Sequence, residues 1–75
     1  MTLADLAAGE RAVVLRLPPT YATTLSRLGL CPGTEVSCLR RLPLGDPAVY
    51  RWRGIDVALR RRDASRVEVR KPHPV

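Results

Sequence analysis

Apolar residues along this chain come in short runs whose period changes several times. Leu3 and Leu6 stand three apart in Thr2-Leu3-Ala4-Asp5-Leu6-Ala7-Ala8. That spacing predicts one helical turn with Thr2 as N-cap and Gly9 as its stop, its leucines plugging one end of a core. Glu10 to Leu17 then carries Val13, Val14, Leu15 and Leu17 among Arg11 and Arg16, the pattern of a β-strand with one buried face, which Pro18-Pro19 ends. From Thr20 the period lengthens. Tyr21, Ala22, Leu25 and Leu28 fall on one side of a short helix capped by Thr20, with Thr23, Thr24, Ser26 and Arg27 outward, so Leu25 and Leu28 read as core. Gly29 suits the left-handed position after a helix. Leu30 then either folds back on Leu25 as the hydrophobic contact of a Schellman cap or stands exposed as an anchor.

Cys31-Pro32-Gly33-Thr34 has Pro and Gly where a type II turn needs them, and it reverses the chain into a strand running about Thr34 to Leu42. Val36 and Cys38 share one face of that strand, Glu35, Ser37 and Leu39 the other, with Arg40 and Arg41 towards its end. Pro43-Leu44-Gly45-Asp46-Pro47 is a rigid connection in which Asp46 is a turn residue. Next, Ala48, Tyr50 and Trp52 alternate with Val49, Arg51 and Arg53, Gly54 permits a tight hairpin, and Ile55, Val57 and Leu59 alternate with Asp56, Ala58 and Arg60. Arg61 to Ser65 reads as a polar bend or one helical turn. Arg66 to Arg70 supplies a last strand that pairs with the first and so closes the sheet, removing its exposed edges. The predicted fold is mainly β: a small five-stranded SH3-like barrel with one short helix inserted after the first strand, a single domain over 1–70, and a loose tail over 71–75.

Seventy-five residues leave room for one small core and little for a walled active-site cleft, so a surface binder is the favoured class. No apolar run approaches the ~18 residues of a membrane span, and the start lacks the pattern of a secretory signal, which places the protein in the cytoplasm. The two cysteines, Cys31 and Cys38, then read as free structural thiols. Thirteen basic residues, twelve of them Arg, oppose seven acidic ones. The net charge of +6 predicts attraction to phosphates or to an acidic protein face.

Catalysis asks for a nucleophile, a base and an orienting group in reach of one another, and the single histidine, His73, lies in the Pro-flanked tail. No enzyme is expected, and no cofactor. Neither the Cys31/Cys38 spacing nor the scattered carboxylates form a metal-ligand pattern. Nucleic-acid binding is the rival reading: Arg51, Trp52, Arg53, Arg60, Arg61 and Arg62 combine charge with an aromatic ring, although the alternation of Trp52 with Tyr50 also fits a residue that fills the barrel. For a protein partner the candidate residues are Tyr21, Arg27, Leu30 and Cys31 on the helix and adjoining turn, with Arg40, Leu42 and Leu44 near the neighbouring strand end, since Tyr and Arg favour binding hot spots. Self-association through a strand edge or an apolar patch is left open.

Three stretches in order carry a family likeness: Gly9-Glu10 opening the first strand, Leu28-Gly29-Leu30-Cys31-Pro32-Gly33 followed by Val36, and Pro43-Leu44-Gly45-Asp46-Pro47 followed by Gly54. Over nearly its full length the chain resembles the FeoA family. It departs from the commoner pattern at Pro18-Pro19-Thr20-Tyr21, where Gly-containing polar loops are frequent, and in its Arg-rich third strand. The resemblance implies an SH3-like barrel acting as a non-enzymatic adaptor of ferrous iron uptake, bound to the cytoplasmic G-protein region of the FeoB membrane transporter. It is also similar to the C-terminal domain of DtxR-type iron-dependent repressors, a second binding role for the same barrel, so the fold does not fix the partner.

Overall fold

Five strands and two short helices account for most of residues 1–72, which the computed structural model describes, with the side chains of 20–23 outside that description. In chain order they are β1 (Arg11–Arg16), α1 (Pro19–Arg27), β2 (Glu35–Arg41), β3 (Ala48–Trp52), β4 (Ile55–Leu59), α2 (Arg61–Ala64) and β5 (Glu68–Arg70). A 3-10 turn at Leu3–Asp5 precedes them. There the Asp5 carboxylate accepts from the Thr2 N–H at 2.8 Å, so the side chain that caps is Asp5, reaching back. Leu3 and Leu6 are fully buried, as the plug reading required.

All strand pairs are antiparallel, in the order β4-β3-β2-β1-β5. The mainly β, SH3-like architecture and the helix inserted after β1 are as predicted. Closure is not. β5 does pair with β1, but that leaves β5 at one edge of the ladder and β4 at the other. The barrel is sealed by packing instead: Leu3, Leu6, Leu25, Leu30, Tyr50 and Trp52 meet in one buried cluster with Val14, Val36, Val67 and Val69.

β1 buries Ala12 and Val14, the alternate residues that face this cluster, and leaves Leu15 49% exposed. Four consecutive apolar residues blurred that period of two. α1 begins at Pro19 with Pro18 at the cap, not at Thr20. Proline is well suited to a first helical turn, whose N–H groups have no partner in the helix.

The helix ends as its sequence dictates. Gly29 takes φ +87°, its N–H donates to the Ser26 carbonyl, and the Leu30 N–H donates to the Leu25 carbonyl, both at 2.9 Å. These two bonds make a complete Schellman motif. Leu30 is accordingly fully buried beside Leu25, which excludes it as an exposed anchor. Leu28, expected in the core, is instead 40% exposed. As the C-cap residue it has left the helical path, with φ −89° and ψ 5°.

The Pro32-Gly33 turn is closed by the Thr34 N–H on the Cys31 carbonyl at 3.0 Å. β2 then buries Val36 and Cys38, but its register against β3 shifts between Cys38 and Arg40, so Arg41 rather than Arg40 turns inward. The Arg41 guanidinium donates to the carbonyls of Ala4 at 2.8 Å and Gly45 at 3.4 Å, and also to that of Leu6. It thereby ties the opening turn to the β2–β3 loop. Asp46 does more than turn the chain: its Oδ1 accepts from the Arg61 N–H at 2.8 Å, covering the start of α2. In the expected loose tail, Lys71 pairs with Glu10, while His73 lies outside the described residues.

Candidate functional site

The two groups of predicted contact residues lie at opposite ends of β2. Arg27 and Cys31 precede it; Leu42 and Leu44 follow it. Seven residues of strand at about 3.3 Å each hold these groups roughly 20 Å apart. Arg40 is exposed on the outer sheet face between them, and the Tyr21 side chain is among those outside the description.

At the first end, α1, the Cys31 turn and the β3–β4 hairpin converge. Trp52, 1% exposed, donates from Nε1 to the Leu28 carbonyl at 2.8 Å, satisfying an acceptor at the helix end. Arg53 takes φ +51°, and its aliphatic stem lies over Gly29 so closely that a Cβ there would come within 2.8 Å of its Cδ. The Arg53 guanidinium reaches to 3.9 Å from Cys31 Sγ. Cys31 is half-buried, with Sγ 3.4 Å from Thr34 Oγ1, whereas Cys38 is fully buried and burial pushes its thiol above the ordinary value. Both cysteines are free.

Beside this end lies an apolar groove of about 250 Å³, lined by Thr24, Leu25 and Leu28 of the α1 region, Val57 and Leu59 of β4, and Asp63 of α2. One Asp63 oxygen is buried at its margin without a hydrogen-bond partner, the Arg62 Nε standing 4.0 Å away. The alternation Ile55-Val57-Leu59 announced the β4 wall; Leu28 was concealed by its place in the helical period. At the second end, Leu44 is completely exposed and Leu42 is 37% exposed on a loop held by Arg41.

Charge is distributed unevenly. Arg11–Glu35, Arg16–Glu68, Arg51–Asp56 and Lys71–Glu10 are ion pairs on the sheet surface. The hydrogen bonds from Arg51, at 2.6 and 3.0 Å, hold the Asp56 carboxyl below its ordinary value, helped by the field of Arg40. A bond from Lys71 and one from the Ala7 N–H do the same for Glu10. Arg27, Arg40 and Arg60 form no ion pair among the described residues, so the excess positive charge is displayed around the groove and outer sheet face. Among the same residues no three His, Cys, Asp or Glu gather closely enough to hold a metal ion, and no helix is long and apolar enough to cross a membrane.

A family model described as the FeoA domain matches residues 1–71. The chain belongs to the FeoA family. The fold is shared with the FeoA protein of Chlorobium tepidum, 36% identical with a TM-score of 0.87, covering 95% of this chain and 70% of that one. It is shared too with the FeoA of Stenotrophomonas maltophilia, determined with zinc and described as a procaryotic SH3 domain protein: 32% identical, TM-score 0.80, 92% of this chain and 88% of that one. A ferrous iron transport protein A/FeoB fusion of Porphyromonas gingivalis is 32% identical over 71 residues. The match takes in 92% of this chain but only 8% of the fusion, so the FeoA domain is a small part of that polypeptide. The family association with ferrous iron transport thus agrees with the resemblance carried by the Leu28-Gly29-Leu30-Cys31-Pro32-Gly33 stretch.

Proposed function

We propose that this FeoA-family chain is a non-enzymatic cytoplasmic adaptor of ferrous iron uptake that binds the cytoplasmic G-protein region of a FeoB-type transporter. The observation that carries the reading is the Porphyromonas gingivalis fusion, in which a FeoA segment and the transporter are one polypeptide. Joining the two in one polypeptide keeps the FeoA segment close to the transporter, which is what an adaptor of that transporter requires.

The groove end of the barrel supports the reading. Leu28 offers an exposed apolar contact at the rim of a groove, Arg27 and Arg53 stand beside it, and Cys31 lies within the same turn. Apolar centre and guanidinium rim are the composition of a binding hot spot, and the basic surround favours an acidic partner face through faster encounter. Leu42 and Leu44 form a second, separate contact on a loop held by Arg41.

The test is titration of the purified transporter G-protein region. Leu28→Asp and Arg27→Glu should each weaken binding by about tenfold or more, and Leu44→Ala by less. Unchanged affinity in Leu28→Asp and Arg27→Glu removes the helix end from the interface; unchanged affinity in Leu44→Ala removes the loop. The nucleic-acid rival loses its main support, because Trp52 lies inside the barrel and has no face for a base.

A further inference from the structure

A sheet ordered β4-β3-β2-β1-β5 has two outer edges. The chain's own beginning covers one of them: Thr2 bridges Glu68, the Leu3 N–H donates to the Val67 carbonyl at 3.1 Å, and the Val69 N–H donates to the Met1 carbonyl at 2.9 Å. Along β4 nothing comparable is found among the described residues. Trp52 and Ile55 flank a two-residue turn and so form a hydrogen-bonded pair, and antiparallel alternation makes Tyr50–Val57 and Ala48–Leu59 hydrogen-bonded as well. The N–H and C=O groups of Asp56 and Ala58 therefore point away from β3, with no partner among the described residues.

We propose that this edge is the seam of a homodimer, in which β4 of two copies pair antiparallel about a two-fold axis at Val57. In that register Asp56 of each copy lies opposite Ala58 of the other, and the four outward N–H groups meet four outward carbonyls. On the inner face Ile55, 38% exposed, lies opposite the second copy's Leu59, and the half-buried Val57 meets its own counterpart. The sequence Ile55-Asp56-Val57-Ala58-Leu59 is thus self-complementary: bulky aliphatic residues face one another inside, and small Ala58 faces the one charged side chain outside. Arg60 of each copy comes diagonal to Asp56 of the other. The two Asp56 carboxylates that approach across the axis are each already held by Arg51. β4 has no Lys, Pro or bulge to guard it, and its one charged side chain, Asp56, is paired with Arg51 of its own sheet.

Five paired residues bury less than the roughly 1,200 Å² of a stable interface, so the dimer is weak, with a dissociation constant on the order of 100 μM. Because each copy bears a net charge of +6, added salt screens repulsion and strengthens it. The inference does not depend on the transporter reading.

Sedimentation equilibrium across a range of concentration and ionic strength, with amide exchange of Asp56 and Ala58, tests it. Dimerisation that tightens with salt and slows exchange at those two amides is expected. Position 58 is exposed, faces Asp56 of the other copy twice in the dimer, and donates nothing to β3. Ala58→Arg should therefore tighten the dimer roughly tenfold and Ala58→Glu weaken it as much. Association governed by net charge alone gives the reverse order, since Arg raises the repulsion and Glu lowers it. That reversed order overturns the proposal, and so does a protein that stays monomeric at about 1 mM, whether or not it takes up another strand.

Discussion

Trp52 is the residue on which both the stability and the binding class of this protein turn, and Trp52→Phe probes both. Phenylalanine fits the same rotamer space but lacks the donor that holds the Leu28 carbonyl at 2.8 Å. Losing that bond costs about 0.5–1.5 kcal/mol, and the smaller ring forfeits burial worth roughly two methylene groups, about 1.5 kcal/mol. The sum, about 2–3 kcal/mol, is large for a chain of this length, whose whole stability is on the order of 4–11 kcal/mol. A melting temperature about 10–20 °C lower follows, read by circular dichroism because the variant has no tryptophan left. In the parent protein the sole tryptophan should emit as a buried indole, resist acrylamide, and keep its spectrum when a single-stranded oligonucleotide is added. A loss under about 3 °C, or an emission that acrylamide quenches readily, would refute the reasoning, since the ring would then neither anchor the helix end nor be hidden from bases.

Three further outcomes follow from the same geometry. Leu30→Ala should cost about 2–5 kcal/mol in urea unfolding, as for a buried leucine, whereas Leu44→Ala, at a fully exposed site, should stay within about 0.5 kcal/mol; equal costs would contradict the burial of Leu30. Alkylation of the native protein should label Cys31 and spare Cys38 until the chain unfolds, with mass spectrometry of the peptides as the check. Glu10 and Asp56 are held below their ordinary values of 4.5 and 3.8, so the unfolded chain takes up these protons first as pH falls. Their contribution is complete above those values and disappears as pH drops through the lower folded ones; Lys71→Met and Arg51→Met should each flatten the acid limb of a stability–pH curve, and an unaltered limb counts against the ion pairs.

Local rules were legible wherever one residue type has one conformational use. Leu28-Gly29-Leu30 specified its Schellman motif, Pro32-Gly33 its turn, and the alternations through Tyr50 and Val57 their hairpin, because glycine, proline and a period of two leave few alternatives. What the sequence hid depends on contacts made far along the chain. Helical period put Leu28 in the core, yet the C-cap geometry and the Trp52 ring beneath its carbonyl send it outward. Nothing in Cys38-Leu39-Arg40 announces the bulge that turns Arg41 inward. How the candidate contact residues group was not legible either, since it depends on the path of β2 between Cys31 and Leu42. The chemistry of the surface was readable from residue type, its grouping only from the register.

The coupling of Met1 and Thr2 to β5 sets a limit on how this protein can assemble. Growth by strand addition needs a sticky side at each end of the subunit, and here the chain's first residues already occupy one. Any pairing through the other is therefore self-terminating, stopping at two subunits with no free side left to template a third. Three residues of backbone, Met1 to Leu3, in this way shield one edge of a cationic, β-rich domain from open-ended strand addition.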